Sequence, residues 1–306
     1  MIGFAFRIWG LIAQGDHGGE GEQDIAAVWD AHMMEEVADS HHFIVPGLGI
    51  SFDLPQWPPL HIGSLTIDMS PTKHVIWIMM AATLCALVLI WTARKTHGRG
   101  ADKAPRGLAN VIEAFVIYLR DEVVVRNIGK GGERYVPFAL TLFFFILFMN
   151  LLGLLPFGSA ATGNIMVTGA LAILSLVVIE VGGAIHLGPR AYMKTIVYVP
   201  EGLPWFGKIP MALIMTPVEA IAKLARIFAL AIRLFANMTA GHLVILSLVG
   251  LIFMAAGAGA AKWAIAPAPV LMAVAIMMME IFIALLQAYI FTMLTSVFIG
   301  LVRHPH

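Results

Sequence analysis

Charge is scarce in this chain. Of its 306 residues only 12% are Asp, Glu, Lys or Arg, while 59% are hydrophobic. Soluble domains run nearer 25% charged and 45–50% apolar. The mean hydropathy of +0.86 agrees, so the composition describes an integral membrane protein and excludes a soluble enzyme. Cysteine is nearly absent: Cys85 stands alone, which excludes an internal disulfide and any cysteine-ligated zinc or iron–sulfur site. A Gly-rich phosphate loop, an HExxH metal motif, a nucleophile–base pair, an internal repeat and a basic nucleic-acid patch are all missing. Residues 14–70 contain no Lys or Arg against ten acidic residues, so the net charge of zero hides a segregation.

What is present is long apolar runs. A helix needs about 20 apolar residues to cross a hydrocarbon core, and five stretches qualify: about 74–91, 135–155, 164–186, 211–256 and 268–302. In lipid each is helical, because a helix satisfies its own backbone groups. The last two are too long to stand upright. At 1.5 Å per residue they extend roughly 69 and 53 Å, so each is either steeply tilted or broken into two short helices by a re-entrant turn. Gly241 and Gly250 mark the points at which the fourth would kink.

Lys and Arg in short links set the orientation. Arg94, Lys95, Arg99, Lys103 and Arg106 follow the first span. Lys130 and Arg134 precede the second, and Arg190, Lys194 and Lys208 follow the third. The links at 156–163 and 257–267 hold only Lys262. All basic links share the cytoplasmic side if the N-terminus is outside and the C-terminus inside. Between the first two spans, Leu108, Val111, Ile112, Phe115, Leu119 and Val123 recur at helical spacing, which predicts an amphipathic interfacial helix over 107–127. The expected fold is therefore an all-α membrane protein of five spanning helices, the last two long and steeply tilted, plus one interfacial helix. Residues 71–306 form its membrane domain. Residues 1–70 are an external acidic segment, in which 1–14 resemble either a weak signal peptide or a retained interfacial stretch. His17, His32, His41, His42 and His61 of that segment are too irregularly spaced for a metal site, and no cofactor or metal is expected.

Ionisable groups inside spans are costly, which makes them functional candidates. Glu219, Arg226, Arg233 and Asn237 follow at spacings of 7, 7 and 4, returning to nearly one helical face. Lys223 sits one turn after Glu219, placed to pair with it. Glu280 and Gln287 are seven apart on the fifth span, and Thr292, Thr295 and Ser296 carry the polarity onward. Arg233 is a permanent cation, whereas His242 and Glu280 both exchange protons. Two readings coexist for these residues: a proton path ending near a fixed cation, or buried pairs that staple helices together. Asn150 and Asn164 either line an outer opening or cap helices. Glu180 reads as interfacial.

These residues lie in a string, Ile232-Arg233-Leu234-Phe235-Ala236-Asn237-Met238-Thr239-Ala240-Gly241-His242, that resembles the signature of the subunit a family of F-type ATP synthases. Phe148–Pro156 and Leu286–Phe291 resemble segments of the same family, and the likeness covers about residues 70–303. The resemblance implies a non-catalytic proton-channel subunit of an enzyme complex. In such a subunit the residue matching Arg233 faces a ring of c subunits between two aqueous half-channels. Asn237, His242, Glu280 and Gln287 would belong to the outer half-channel and Glu219 to the inner one. Partners implied are the c-ring, the subunit b peripheral stalk and the remaining synthase subunits, with protons as cargo and a bacterial inner membrane as location. Many bacterial members carry Glu and His where this chain has His242 and Glu280; the order here is similar to that of mitochondrial relatives. The rival readings are a secondary transporter, which would show matching halves, and a purely structural membrane subunit. No matching halves are seen here, and a structural subunit has no need for Arg233, His242 and Glu280 together.

Overall fold

The computed structural model describes residues 42–44, 51–62, 65–68, 70–97, 107–155, 160–188, 192, 205–256 and 267–303. Two short antiparallel hairpins come first. β1 (His42–Ile44) pairs with β2 (Ser51–Asp53), and β3 (Leu60–Ile62) with β4 (Leu65–Ile67). The sequence pattern did not anticipate them, because three-residue strands are too short to show alternation. Most of the preceding acidic segment, with the leader-like stretch and His17, His32 and His41, lies outside the described residues.

The membrane part is all helical. α1 is Lys73–His97, α2 Leu108–Tyr118, α3 Arg126–Ile128, α4 Val136–Gly153, α5 Ile165–Leu187, α6 Trp205–Ala256 and α7 Pro267–Arg303. Five helices are long and apolar enough to cross a membrane, over Lys73–Lys95, Gly132–Gly153, Ile165–Leu187, Pro210–Leu251 and Pro267–Arg303. The chain is a multi-pass membrane protein. α6 and α7 are each one unbroken helix, so the re-entrant alternative is set aside. Gly241 and Gly250 are ordinary helical positions. The apolar stretch of α6 runs for 42 residues, or roughly 63 Å, about twice the hydrocarbon thickness.

The helices pack as two compact units. The first comprises residues 1–83, 148–164 and 235–285; the second comprises 84–147, 165–234 and 286–306. In the first, Asn150 is fully buried at the end of α4. Its amide donates to the Ala284 carbonyl of α7 at 3.3 Å, and its Oδ1 accepts from the Thr162 hydroxyl at 2.9 Å. Asn150 thus bridges helices and neither lines an opening nor caps its own helix. Ser70 accepts from the Trp57 amide at 2.9 Å and fixes the chain as it enters α1.

In the second unit, Val124, Ile128, Ala139, Ile179 and Ile299 form a core, flanked by Tyr135, Val136, Val178, Phe298 and Val302. The predicted amphipathic helix contributes to it in an unexpected way. A seven-residue π-helical segment, Leu119–Val125, joins α2 to α3. Its wider turn shifts the helical phase, so the apolar stripe divides. Leu119, Val123, Val124 and Ile128 turn into the core, while Leu108, Val111 and Phe115 remain exposed. Arg303 closes this unit. Its guanidinium is buried over the Tyr135 ring, 5.7 Å from the centroid, and donates to the Lys130 carbonyl at 2.9 Å. Lys130 lies between Gly129 and Gly131, both at positive φ, a conformation that glycine alone adopts without strain.

Gly300 sets how closely α7 approaches α3, since a Cβ there would strike the backbone carbonyl of Asn127. Backbone cannot yield as a side-chain tip does. Gly300→Ala is expected to cost about 1–3 kcal/mol and to lower the thermal midpoint of the purified protein in detergent. Gly169→Ala, on α5 with open space around it, is the control and should leave the midpoint unchanged or slightly raised.

Candidate functional site

Helical periodicity positions the polar residues of α6. The spacings from Glu219 to Asn237 come within a fraction of a turn of one another on an unbroken helix. Buried apolar residues Ile227, Leu230, Ala231, Leu234 and Met238 take the adjoining face, and Arg226, Arg233 and Asn237 are exposed on the isolated chain. Arg233 carries a full positive charge within the apolar stretch Pro210–Leu251. Among the described residues no carboxylate pairs with it: the ion pairs present are Arg120–Asp121, Arg126–Glu122, Lys223–Glu180 and Arg226–Glu219.

α7 does the reverse. Glu280 and Gln287 are 4% and 3% exposed, and they continue a buried stripe through Ala284, Ala288, Phe291, Thr295 and Ile299. This polar pair faces the protein interior because the residues at the same turns are small: Ala284 and Ala288 leave room for it. Thr292, Thr295 and Ser296 do not extend an open polar track. Each hydroxyl donates to the carbonyl four residues back in its own helix, at 2.8–2.9 Å.

In the first unit α6 and α7 meet at Gly241 and Glu280. The Glu280 carboxyl occupies the place where a Cβ of residue 241 would be, and the absence of a side chain there admits it. Its Oε2 is buried without a hydrogen-bond partner among the described residues. His242, half-buried, follows Gly241 directly. Thr239 of the same turn donates to the Gly163 carbonyl at 3.5 Å, and Gly153 abuts Ala160 and Met238. His242, Asn237 and Glu280 thus belong to one packed unit, whereas Glu219, Arg233 and Gln287 belong to the other.

The second unit corrects one local expectation. Lys223 does not pair with Glu219. Its Nζ lies 3.9 Å from Glu180 Oε1 on α5, and Glu219 Oε1 lies 3.9 Å from Arg226 Nη2 instead. Arg226 also stands over the Phe298 ring, 5.7 Å from its centroid. Glu180, read from the sequence as interfacial, is a tertiary ion-pair partner. No sequence spacing linked it to α6, because the contact joins separate helices. The Tyr118 and Tyr289 rings, stacked with centroids 6.3 Å apart and hydroxyls 3.4 Å apart, were likewise invisible in the sequence.

Known proteins resemble this chain over most of its length. Residues 74–300 match the family described as ATP synthase A chain. The chain is similar to ATP synthase subunit a of Chloroherpeton thalassium, 38% identical over 311 residues that cover 98% of this chain and 89% of the relative. It is 41% identical over 306 residues to ATP synthase subunit a of Anaeromyxobacter dehalogenans, covering 95% and 74%. It is 41% identical over 273 residues to that of Myxococcus xanthus, covering 82% and 84%. A match over three quarters of the sequence, spanning every membrane helix, means that the chain belongs to the ATP synthase A chain family.

Proposed function

We propose that this chain is the proton-conducting stator subunit of an F-type ATP synthase in a bacterial inner membrane. Its N-terminal segment would be external and its C-terminus cytoplasmic. It would work against a c-ring and be held by the subunit b stalk and the other synthase subunits. It makes no ATP itself; it converts proton descent into rotation. The observation that carries the reading is Arg233: a permanent cation within a membrane span, exposed on the isolated chain and unpaired by any described carboxylate of its own. A charge so placed is expensive in lipid. A carboxylate on a neighbouring subunit is the economical partner.

In this reading a proton enters from outside past Asn237, His242, Glu280 and Gln287 and neutralises a ring carboxylate, which then turns into lipid. A returning carboxyl reaches the inner path near Glu219 and releases its proton. The carboxylate left behind is drawn to Arg233, with about 4 kcal/mol at 4 Å and an effective dielectric of 20. The same guanidinium repels a proton trying to pass straight from outer to inner path. The driving term is the potential, about 2.3 kcal/mol per charge per 100 mV. A purely structural subunit would give no reason for a buried Glu280 carboxyl oxygen left without a hydrogen bond, a group whose burial is costly unless it works.

Two measurements test this. Arg233→Ala, in complexes that still co-purify with the c-ring, is expected to abolish proton-coupled ATP synthesis; near-normal synthesis refutes the role. Glu280→Gln should slow passive proton flux at least tenfold without loss of assembly. Gly241→Ala, which forces the Glu280 carboxyl out of its place, should slow it in the same direction. Unchanged flux in both would remove Glu280 from the path.

A further inference from the structure

Glu219 and Lys223 are one helical turn apart, with the acid on the N-terminal side, the favoured order for a local ion pair. That pair is not made. Lys223 turns to Glu180 of α5, where the two side chains keep 23% and 27% of their exposure, against 43% and 42% for the Arg226–Glu219 pair. Exposed pairs are worth little and rearrange freely; the Lys223–Glu180 contact is the more sheltered of the two. A cation that a single-helix rule assigns to Glu219 is therefore withheld from it by a carboxylate on another helix.

We infer that Glu180 is a positioning residue for Glu219: by holding the Lys223 ammonium on α5, it keeps a second cation from Glu219 and leaves that carboxylate to Arg226. This rests on the reading in which Glu219 serves the inner path. On the three helices that carry these two pairs and Phe298, the charged and titratable groups within this unit are few. Besides Glu219, α5 contributes Glu180 and His186, α6 contributes Lys208, Lys223, Arg226 and Arg233, and α7 contributes Tyr289 and Arg303. Tyr289 is engaged with Tyr118, and Arg303 with Lys130, His186 and Tyr135. Lys223 is the mobile cation in that set, on a flexible stem one turn from the acid.

The sign follows from elementary electrostatics. A second cation beside a carboxylate favours its charged form. When the complex runs in reverse, pumping protons at the expense of ATP, the inner acid must be protonated from the cytoplasmic side. If Lys223 were released onto Glu219, protonation would fail at lower pH than before. The test uses the whole complex reconstituted in liposomes, with ATP-driven pumping measured as the pH on the nucleotide side is varied. Glu180→Gln should move the alkaline fall-off of pumping about one pH unit toward acid. Glu180→Asp should retain the original profile, and Glu180→Gln combined with Lys223→Gln should restore it. The proposal is overturned if Glu180→Gln lowers pumping equally at every pH, if the double variant behaves as the single one, or if Glu180→Gln no longer assembles with the c-ring, each of which makes the pair a simple staple between α5 and α6. Glu219→Gln in the same liposomes separates the two layers. Unimpaired pumping there removes Glu219 from the path, whereas impaired pumping beside an unshifted Glu180→Gln profile sinks only the positioning role.

Discussion

A guanidinium does not shed its proton in a protein, and hydrocarbon does not solvate it. Those two facts constrain everything around Arg233. A lysine in its place has the option of neutrality; an arginine has only a partner or water. On α6 the residues around it decide which. Leu230, Ala231, Leu234 and Met238 are buried in packing, and among the described residues no carboxylate forms an ion pair with Arg233. The isolated chain thus carries an exposed cation within a membrane span with no described carboxylate paired to it. The helix that bears it is also more than long enough to cross the membrane, so the charge is presented along an extended exposed face instead of at a single crossing point.

The second constraint is volumetric. Glu280 is buried because residue 241 has no side chain and because Ala284 and Ala288 flank the same stripe on α7. Small residues in membrane helices usually let backbones approach; here one of them admits a carboxyl. The gain in closeness comes with a loss of hydrogen bonding at Oε2. A carboxyl oxygen buried without a partner costs stability. Asn150, by contrast, has its carbonyl and amide engaged with Thr162 and Ala284. Two buried polar groups in one unit thus differ: Asn150 bonds to two neighbours, and Glu280 Oε2 has no hydrogen-bond partner among the described residues.

Spans were legible in the sequence because apolar length is a local property. The five runs read from composition coincide with the five membrane helices to within a few residues at most ends, and the polar spacing on α6 survives because the helix is unbroken. What failed was whatever depended on a second helix. Lys223 has a good local partner in Glu219, and only the packing of α5 reveals a better one in Glu180. The interfacial helix has a regular apolar pattern, yet its stripe divides: Ile112, Leu119 and Val123 are buried while Leu108, Val111 and Phe115 are exposed, with a π segment at Leu119–Val125. Asn150 offered two local roles and took a third, again through a tertiary contact. The hairpins before α1 carry too few residues per strand for any periodic signal.

These failures share a direction that bears on the chemistry. Local rules would have paired Glu219 with Lys223 on the same helix. Tertiary packing undoes that pairing and leaves Glu219 with a half-exposed contact to Arg226 at 3.9 Å, weak enough in a polar setting to be broken and remade. Glu280 is likewise kept from a saturated hydrogen-bond set. Glu180, fixed to Lys223 in the more sheltered position, is the acid that the fold commits to structure. A membrane protein has few charges to spend, and this one divides them by how firmly each is held. Firmly held pairs define the packing of the helices. Arg233 has no ion-pair partner among the described residues, and the Glu219–Arg226 contact is the more exposed of the two on α6.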